Sequence, residues 1–192
     1  MMQETTKLTV AILLFNDVEV LDFAGPFEVF SVAREVGQHR DGSPLFNVMT
    51  IAETENLVTA TGELQIKPHF TIEDHPKIDI LIIPGGWGTR KERKNKKVLD
   101  WIIKQDKKTL ITASVCTGAF LLAETGILNG KQATTHWNSI EWMRQTYPQI
   151  TIVSGKRIID ERHIITSAGI SAGIDMSLHV VERMYGKDVA AW

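Results

Sequence analysis

TLITASVCTGAFLLA, residues 109–123, is the stretch on which the reading of the fold turns. Its first half, Thr109 to Val115, carries no charge and is rich in β-branched side chains, as a strand buried on both faces should be. Its second half, Cys116-Thr117-Gly118 running into Ala119-Phe120-Leu121-Leu122-Ala123, has the make-up of a buried helix. Almost nothing separates the two. A strand that passes straight into a helix needs a tight turn, and Cys116, the only cysteine in the chain, stands at its apex.

The same alternation repeats outward from this unit. Leu8 to Phe15 is a nearly continuous apolar run and reads as a buried strand. Gly25-Pro26 then opens a helix predicted to begin near Pro26 and fade by Gly37, since proline suits a first helical turn. Phe46 to Ala52 is the next strand, and Val58 to Lys67, broken at Thr61-Gly62, is a small hairpin. Asp79 to Ile83 is a further buried strand that stops abruptly at Pro84-Gly85-Gly86-Trp87-Gly88. Val98, Leu99, Trp101, Ile102 and Ile103 give a helical stripe. Asn138 to Tyr147 reads as a helix. Arg157–Ile159 and His163–Thr166 read as two short strands turned at Asp160-Glu161, and Asp175–Tyr185 as a last helix stopped by Gly186. Strands alternating with helices predict an α/β fold with a mainly parallel sheet and helices on both faces. No repeat or linker divides residues 1–192, so one domain is expected.

Bulk properties narrow the function. The 192 residues are 43 % hydrophobic and 23 % charged, with a net charge of −2. That is the profile of an ordinary globular protein, without the basic footprint of a nucleic-acid binder. The one basic cluster, Arg90 to Lys97, reads as a solvated helix face. Met1 to Lys7 lacks the apolar core of a signal peptide, and no run approaches a membrane span. A single cysteine excludes an internal disulfide, so a cytoplasmic protein is expected. The six histidines show no metal-ligand spacing, and no metal or cofactor is expected.

In parallel sheets ligands sit beyond the carboxyl ends of the strands, which selects three segments. Cys116 on its turn has the mechanics of a nucleophile elbow, with the helix N-terminus and free N–H groups behind it expected to lower the thiol pKa. Gly118 permits the close packing such a turn needs. The backbone N–H groups of Gly85 and Gly86, with that of Thr117, are candidates for an oxyanion-type hole, and Trp87 for its wall. Asp22, in Leu21-Asp22-Phe23-Ala24-Gly25-Pro26, either caps the following helix or reaches Cys116. In the second case its pKa would rise and it would act as proton donor and acceptor. Asp17 and Glu19 read as solvated loop charges. His136, in Thr134-Thr135-His136-Trp137, is placed to approach the same pocket, because histidine beside a thiol is an activating pair. Trp137, Gly169 and Ile170, the last two in the small-residue loop Ser167–Gly173, are candidate pocket residues. His39, His69, His75, His163 and His179 read as surface or core polar groups.

These segments together resemble the ThiJ/PfpI superfamily, the class I glutamine-amidotransferase-like group. The matching motifs are Asp22-Phe23-Ala24-Gly25-Pro26, Ile83-Pro84-Gly85-Gly86, Val115-Cys116-Thr117-Gly118 with Thr134-Thr135-His136-Trp137, and Gly169-Ile170-Ser171-Ala172-Gly173-Ile174-Asp175. They run in order from about Leu8 to Tyr185. The resemblance implies a flavodoxin-like three-layer α/β/α sandwich and a homodimer. Within the superfamily the chain is most similar to isonitrile hydratases and to the ligand-type domains of AraC-like regulators. In the hydratases an aspartate sits beside a nucleophilic cysteine followed by threonine, the pattern of Asp22, Cys116 and Thr117. The resemblance therefore implies hydration of a small electrophile by Cys116, with Asp22 as general acid and base.

Departures from other branches are informative. Thr117 stands where the peptidase-like branch has histidine, and no His-x-Glu tripeptide of a glutamine amidotransferase occurs. Asp22 stands where the glyoxalase and deglycase branch has glutamate. The regulators continue into a helix-turn-helix domain, whereas this sequence stops at Trp192, so DNA binding of that kind is not expected. The alternatives to a hydratase are a glyoxalase or deglycase activity, a redox sensor oxidised at Cys116, and a small-molecule-binding module with a structural cysteine.

Overall fold

The apolar run Leu8–Leu14 forms β1, an interior strand of the sheet, because strands pair with both of its edges: β2 (Phe46–Ala52) on one side and β6 (Ile80–Ile83) on the other. A strand so enclosed offers neither face to water, and Val10 to Leu14 are at most 1 % exposed. The computed structural model describes residues 7–38 and 42–191. Most of the stretch Met1 to Lys7, and His39, fall outside the described residues.

Beyond β6 the sheet continues through β7 (Ile111–Val115) and β11 (Ile164–Ser167), both parallel, to β10 (Ile158–Glu161), which is antiparallel to β11. The opposite edge is β5 (Phe70–Thr71), and the order is β10-β11-β7-β6-β1-β2-β5. Two strand pairs stand apart: the hairpin β3 (Val58–Thr59) with β4 (Gln65–Ile66), and parallel β8 (Gln132–Ala133) with β9 (Thr151–Ile152). Helices α1 (Val20–Val32), α6 (Ala172–Tyr185) and α7 (Lys187–Ala191) pack together over one face. Helices α2 (Thr89–Glu92), α3 (Lys96–Asp106) and α4 (Ala119–Glu124) cover the other, and α5 (Ile140–Thr146) joins α4 through the Phe120–Trp142 ring contact. The mixed, mostly parallel sheet between helical layers is the architecture the alternation predicts. Among the described residues no helix is long and apolar enough to cross a membrane.

The structure departs from the sequence reading at the start of α1 and at the β10–β11 turn. Helix α1 begins at Val20, six residues before Pro26, and the proline sits inside it. Pro26 removes the N–H that would have bonded the carbonyl of Asp22, yet the helix tolerates it near its start. Asp22 therefore lies in the first turn of α1 and does not cap it; the cap position is Glu19, without a side-chain bond. The β10–β11 turn falls at Arg162-His163, where Arg162 takes φ 71°, and not at Asp160-Glu161. The two-residue strands β5, β8 and β9, and the helix α7, carry too few residues to leave a periodic signal.

Candidate active site

At the carboxyl end of β7 the chain makes the turn that its composition demands. Cys116 takes φ 56°, the left-handed region that a side chain with a Cβ normally avoids. The distortion is held from both sides: the Cys116 N–H donates to the Ala168 carbonyl (3.3 Å), and the Thr135 hydroxyl donates to the Cys116 carbonyl (2.8 Å). Residues 116–118 form a single 3₁₀ turn that leads into α4. Gly118 is obligatory here, since a Cβ would be driven into the carbonyl oxygen of Ile83.

Asp22 reaches this elbow from α1. Its side chain is fully buried, and Oδ2 accepts the Gly85 N–H at 3.0 Å, while Oδ1 has no hydrogen-bond partner. A Cβ on Gly85 would lie 2.7 Å from that Oδ2, 2.8 Å from the Cys116 Cβ and 2.6 Å from the Thr117 nitrogen, so only glycine lets carboxyl and thiol face each other across this loop. Burial pushes the Asp22 carboxyl up to about 7, against the Gly85 N–H that favours its charge; Glu19 adds to the rise, and the Cys116 thiol opposes it. The surroundings of Asp22 thus act in the direction the sequence reading expects.

Around the thiol the surroundings act against the expected fall. Burial, followed by the charge of Asp22, pushes Cys116 up to about 12, although the N–H and hydroxyl of Thr117 favour the thiolate. The sulfur belongs to a residue only 7 % exposed, and the 3₁₀ turn with six-residue α4 supplies too small a dipole to overcome that desolvation. In this pair the carboxyl is the group that loses its proton first, and the thiol keeps its own.

A second correction concerns the oxyanion hole. The Gly85 N–H is committed to Asp22, and the Gly86 N–H donates to Thr117 Oγ1 at 3.0 Å. Neither is free for a substrate, and the Thr117 N–H, directed at the sulfur, is the remaining candidate of the three.

Above the thiol lies a cleft of ≈ 200 Å³, walled by Glu19, Trp87, Arg90, His136 and Ile170 over Cys116 and Thr117. His136 thus comes to the pocket, with its ring edge against Gly169; a Cβ there would strike His136 Cδ2 and sit 3.3 Å from the Cys116 Sγ. Trp137 does not wall the cleft. It stands beside His136, ring centroids 5.5 Å apart, and is 77 % exposed. Arg90 lies over the Trp87 ring at 3.8 Å. A larger hollow of ≈ 480 Å³ between α1, α6 and α7 holds no nucleophile, so size does not identify the site.

The sequence reading missed two groups. Glu19 is half-buried in the cleft wall, because the isolated bridge between Val18 and Gly86 folds its loop over the glycine-rich segment. Thr89, fully buried, bonds both Gly86 and Thr117. A hydroxyl immediately after a glycine-rich loop was the available signal for it. The other described histidines are engaged elsewhere: His69 with Thr50, His75 with Trp101, His163 with Asp106 and His179 with Asp160. Among the described residues no group of three or more His, Cys, Asp or Glu is placed to hold a metal ion.

Residues 8–183 match the DJ-1/PfpI family. The isonitrile hydratase of Pseudomonas putida is 33 % identical over 184 residues, 95 % of this chain and 75 % of that protein. The HTH-type transcriptional regulator GbdR of Pseudomonas aeruginosa is 26 % identical, over 98 % of this chain but only 50 % of its own length. The crystal structure of a ThiJ/PfpI family protein from Pseudomonas syringae superposes with a TM-score of 0.84 at 25 % identity, covering 96 % of this chain and 72 % of that one. Drosophila melanogaster DJ-1beta gives a TM-score of 0.80 at 20 % identity over 97 % and 95 % of the two chains, a likeness of fold.

Proposed function

The chain belongs to the DJ-1/PfpI family, and on that premise we propose that it hydrates a small electrophile through Cys116, an isonitrile being the substrate the resemblance favours. The observation that carries this reading is the buried Asp22 carboxyl, raised to about 7 and left with one open oxygen beside a thiol on a strained turn. A carboxyl poised near neutrality can both accept and return a proton.

In the proposed course the Cys116 sulfur bonds to the terminal carbon of R–N≡C while the Asp22 carboxylate takes the thiol proton and passes it to that carbon, which gives an enzyme-bound thioimidate, R–N=CH–S. Water then adds to the same carbon, giving up a proton through Asp22, and nitrogen is protonated. The C–S bond breaks, the sulfur recovers its proton, and R–NH–CHO leaves. The sum is R–N≡C plus water to an N-substituted formamide. The ≈ 200 Å³ cleft suits a substrate of this size. As members of the family commonly do, the chain is expected to dimerise.

The test is formamide formation from a small alkyl isonitrile by the wild-type protein, Cys116→Ala and Asp22→Asn. Wild-type turnover that vanishes in Cys116→Ala supports the reading, and an inactive wild type or an active Cys116→Ala variant ends it. A second reading, a small-molecule-binding module like that of the regulators, draws support from the thiol held up to about 12. It predicts slow alkylation of Cys116 and saturable ligand binding without turnover. The same elevated, nearly buried thiol gives no support to peroxide sensing.

A further inference from the structure

Thr89 is 0 % exposed and lies immediately after the glycine-rich loop, outside the cleft wall, and no catalytic residue named above explains it. Its hydroxyl lies 2.7 Å from the Gly86 carbonyl and 3.2 Å from Thr117 Oγ1. Thr117 Oγ1 in turn accepts the Gly86 N–H at 3.0 Å and lies 3.2 Å from the same Gly86 carbonyl. The Gly86 carbonyl also accepts the Thr89 N–H at 3.3 Å, so three donors compete for its two lone pairs; Thr89 supplies two of them, and its hydroxyl makes the shortest contact. The Thr117 proton is left with a long bond to Gly86 and with the Cys116 sulfur as its other acceptor. Because Thr117 Oγ1 is already polarised by the Gly86 N–H, its proton is a strengthened donor.

We propose that Thr89 is a positioning residue: by occupying the Gly86 carbonyl it turns the Thr117 hydroxyl proton toward Cys116, where it stabilises the negative charge that builds on sulfur. The inference builds on the reading of Cys116 as the reacting group, but it concerns the thiol itself and needs no particular substrate. Without the Thr89 hydroxyl the Thr117 proton falls back on Gly86, and the sulfur loses a donor.

The experiment measures the rate of Cys116 alkylation by iodoacetamide across pH in the wild type, Thr89→Val, Thr89→Ser, Thr117→Val and the Thr89→Val/Thr117→Val double variant. Loss of one hydrogen bond to a charged group shifts a titration by about 1–2 pH units, so at fixed pH below the midpoint alkylation slows roughly tenfold or more. Thr89→Val is expected to show this slowing, Thr89→Ser to restore the wild-type profile, and the double variant to add nothing to Thr117→Val. An unshifted Thr89→Val profile overturns the proposal, as does an unshifted Thr117→Val profile or a Thr89→Ser variant that shifts as far as Thr89→Val. If Thr89→Val does not fold, Thr89→Ala removes the same hydroxyl without added bulk and is read the same way. A wild type that hydrates no isonitrile yet shows these shifts refutes the hydratase and leaves the role of Thr89 standing.

Discussion

Two buried carboxylates flank opposite ends of β6, and they are built differently. Asp79, just before the strand and 8 % exposed, has both oxygens occupied: Oδ2 accepts the Thr9 N–H at 2.9 Å and Oδ1 pairs with Lys77 Nζ at 2.7 Å. Asp22, beyond the other end and fully buried, has one oxygen on the Gly85 N–H and the other without a hydrogen-bond partner. A carboxylate kept for structure is satisfied, because an unmet buried acceptor costs about 1–3 kcal/mol. One left unmet is a liability to folding, and at Asp22 it fits the proton-transfer role proposed for that residue. Burial therefore does not separate the two residues; the unfilled valence does.

The contrast predicts its largest effect in activity. Asp22→Asn keeps the acceptor for Gly85 but can no longer move a proton, and hydratase turnover is expected to fall about 10²–10⁴-fold. In the wild type kcat/KM should rise through pH about 7, because the carboxyl raised to that value must ionise before it can accept the thiol proton. That rise should be absent from the residual activity of the variant. A pH profile of isonitrile consumption checks both points, and a wild-type profile flat between pH 5 and 8 would contradict the role of Asp22.

The same substitution should change stability in the opposite sense. From pH about 4 to 7 an unfolded Asp22 ionises while the folded one keeps its proton, so the folded state binds more protons and loses stability as pH rises. Above about 7 the loss is complete, roughly 4 kcal/mol at most for a shift of about three units. Asp22→Asn removes it. The variant is expected to be more stable than the wild type at pH 8, with the difference closing near pH 4. Urea denaturation at the two pH values measures this, and a pH-independent difference would break the comparison.

These residues also mark how far the sequence could be read. The Cys116 elbow was legible because a charge-free strand abutting a helix leaves the chain only one way to turn. The place of Asp22 beside it was half legible: Pro26 pointed to a helix beginning too late, while the apolar neighbours of the carboxylate pointed to its burial. The burial that opposes a low thiol pKa was not legible, because the turn dipole is local and visible in sequence whereas neighbours such as Gly169 come from distant segments. Glu19 reads as a loop charge until the Val18–Gly86 bridge folds it over the cleft. The glycines of Pro84–Gly88 could be assigned to the site by composition, but which N–H faces a substrate depends on partners contributed by α1 and the elbow.

At the other end of β6 the signs reverse. Asp79→Ala strips the acceptor from the Thr9 N–H at the start of β1, and the expected loss is about 1–3 kcal/mol in urea denaturation at pH 7, without effect on the site chemistry. A loss of activity at unchanged stability would mean that the two ends of the strand are coupled and that the division drawn here is wrong.

The smallest effect comes from the ion pair that completes Asp79. Lys77 is 79 % exposed at its side chain, so water competes for its charge and the flexible stem must be ordered to keep the contact. Lys77→Met should cost about 0.5 kcal/mol or less, and raised salt should erase even that. The Thr9 N–H would then be the contact that secures Asp79, with the lysine an addition. A cost equal to that of Asp79→Ala would instead make the pair a single electrostatic unit. The distinction between the two carboxylates would then rest on a compensating charge at one end of β6 and its absence at the other.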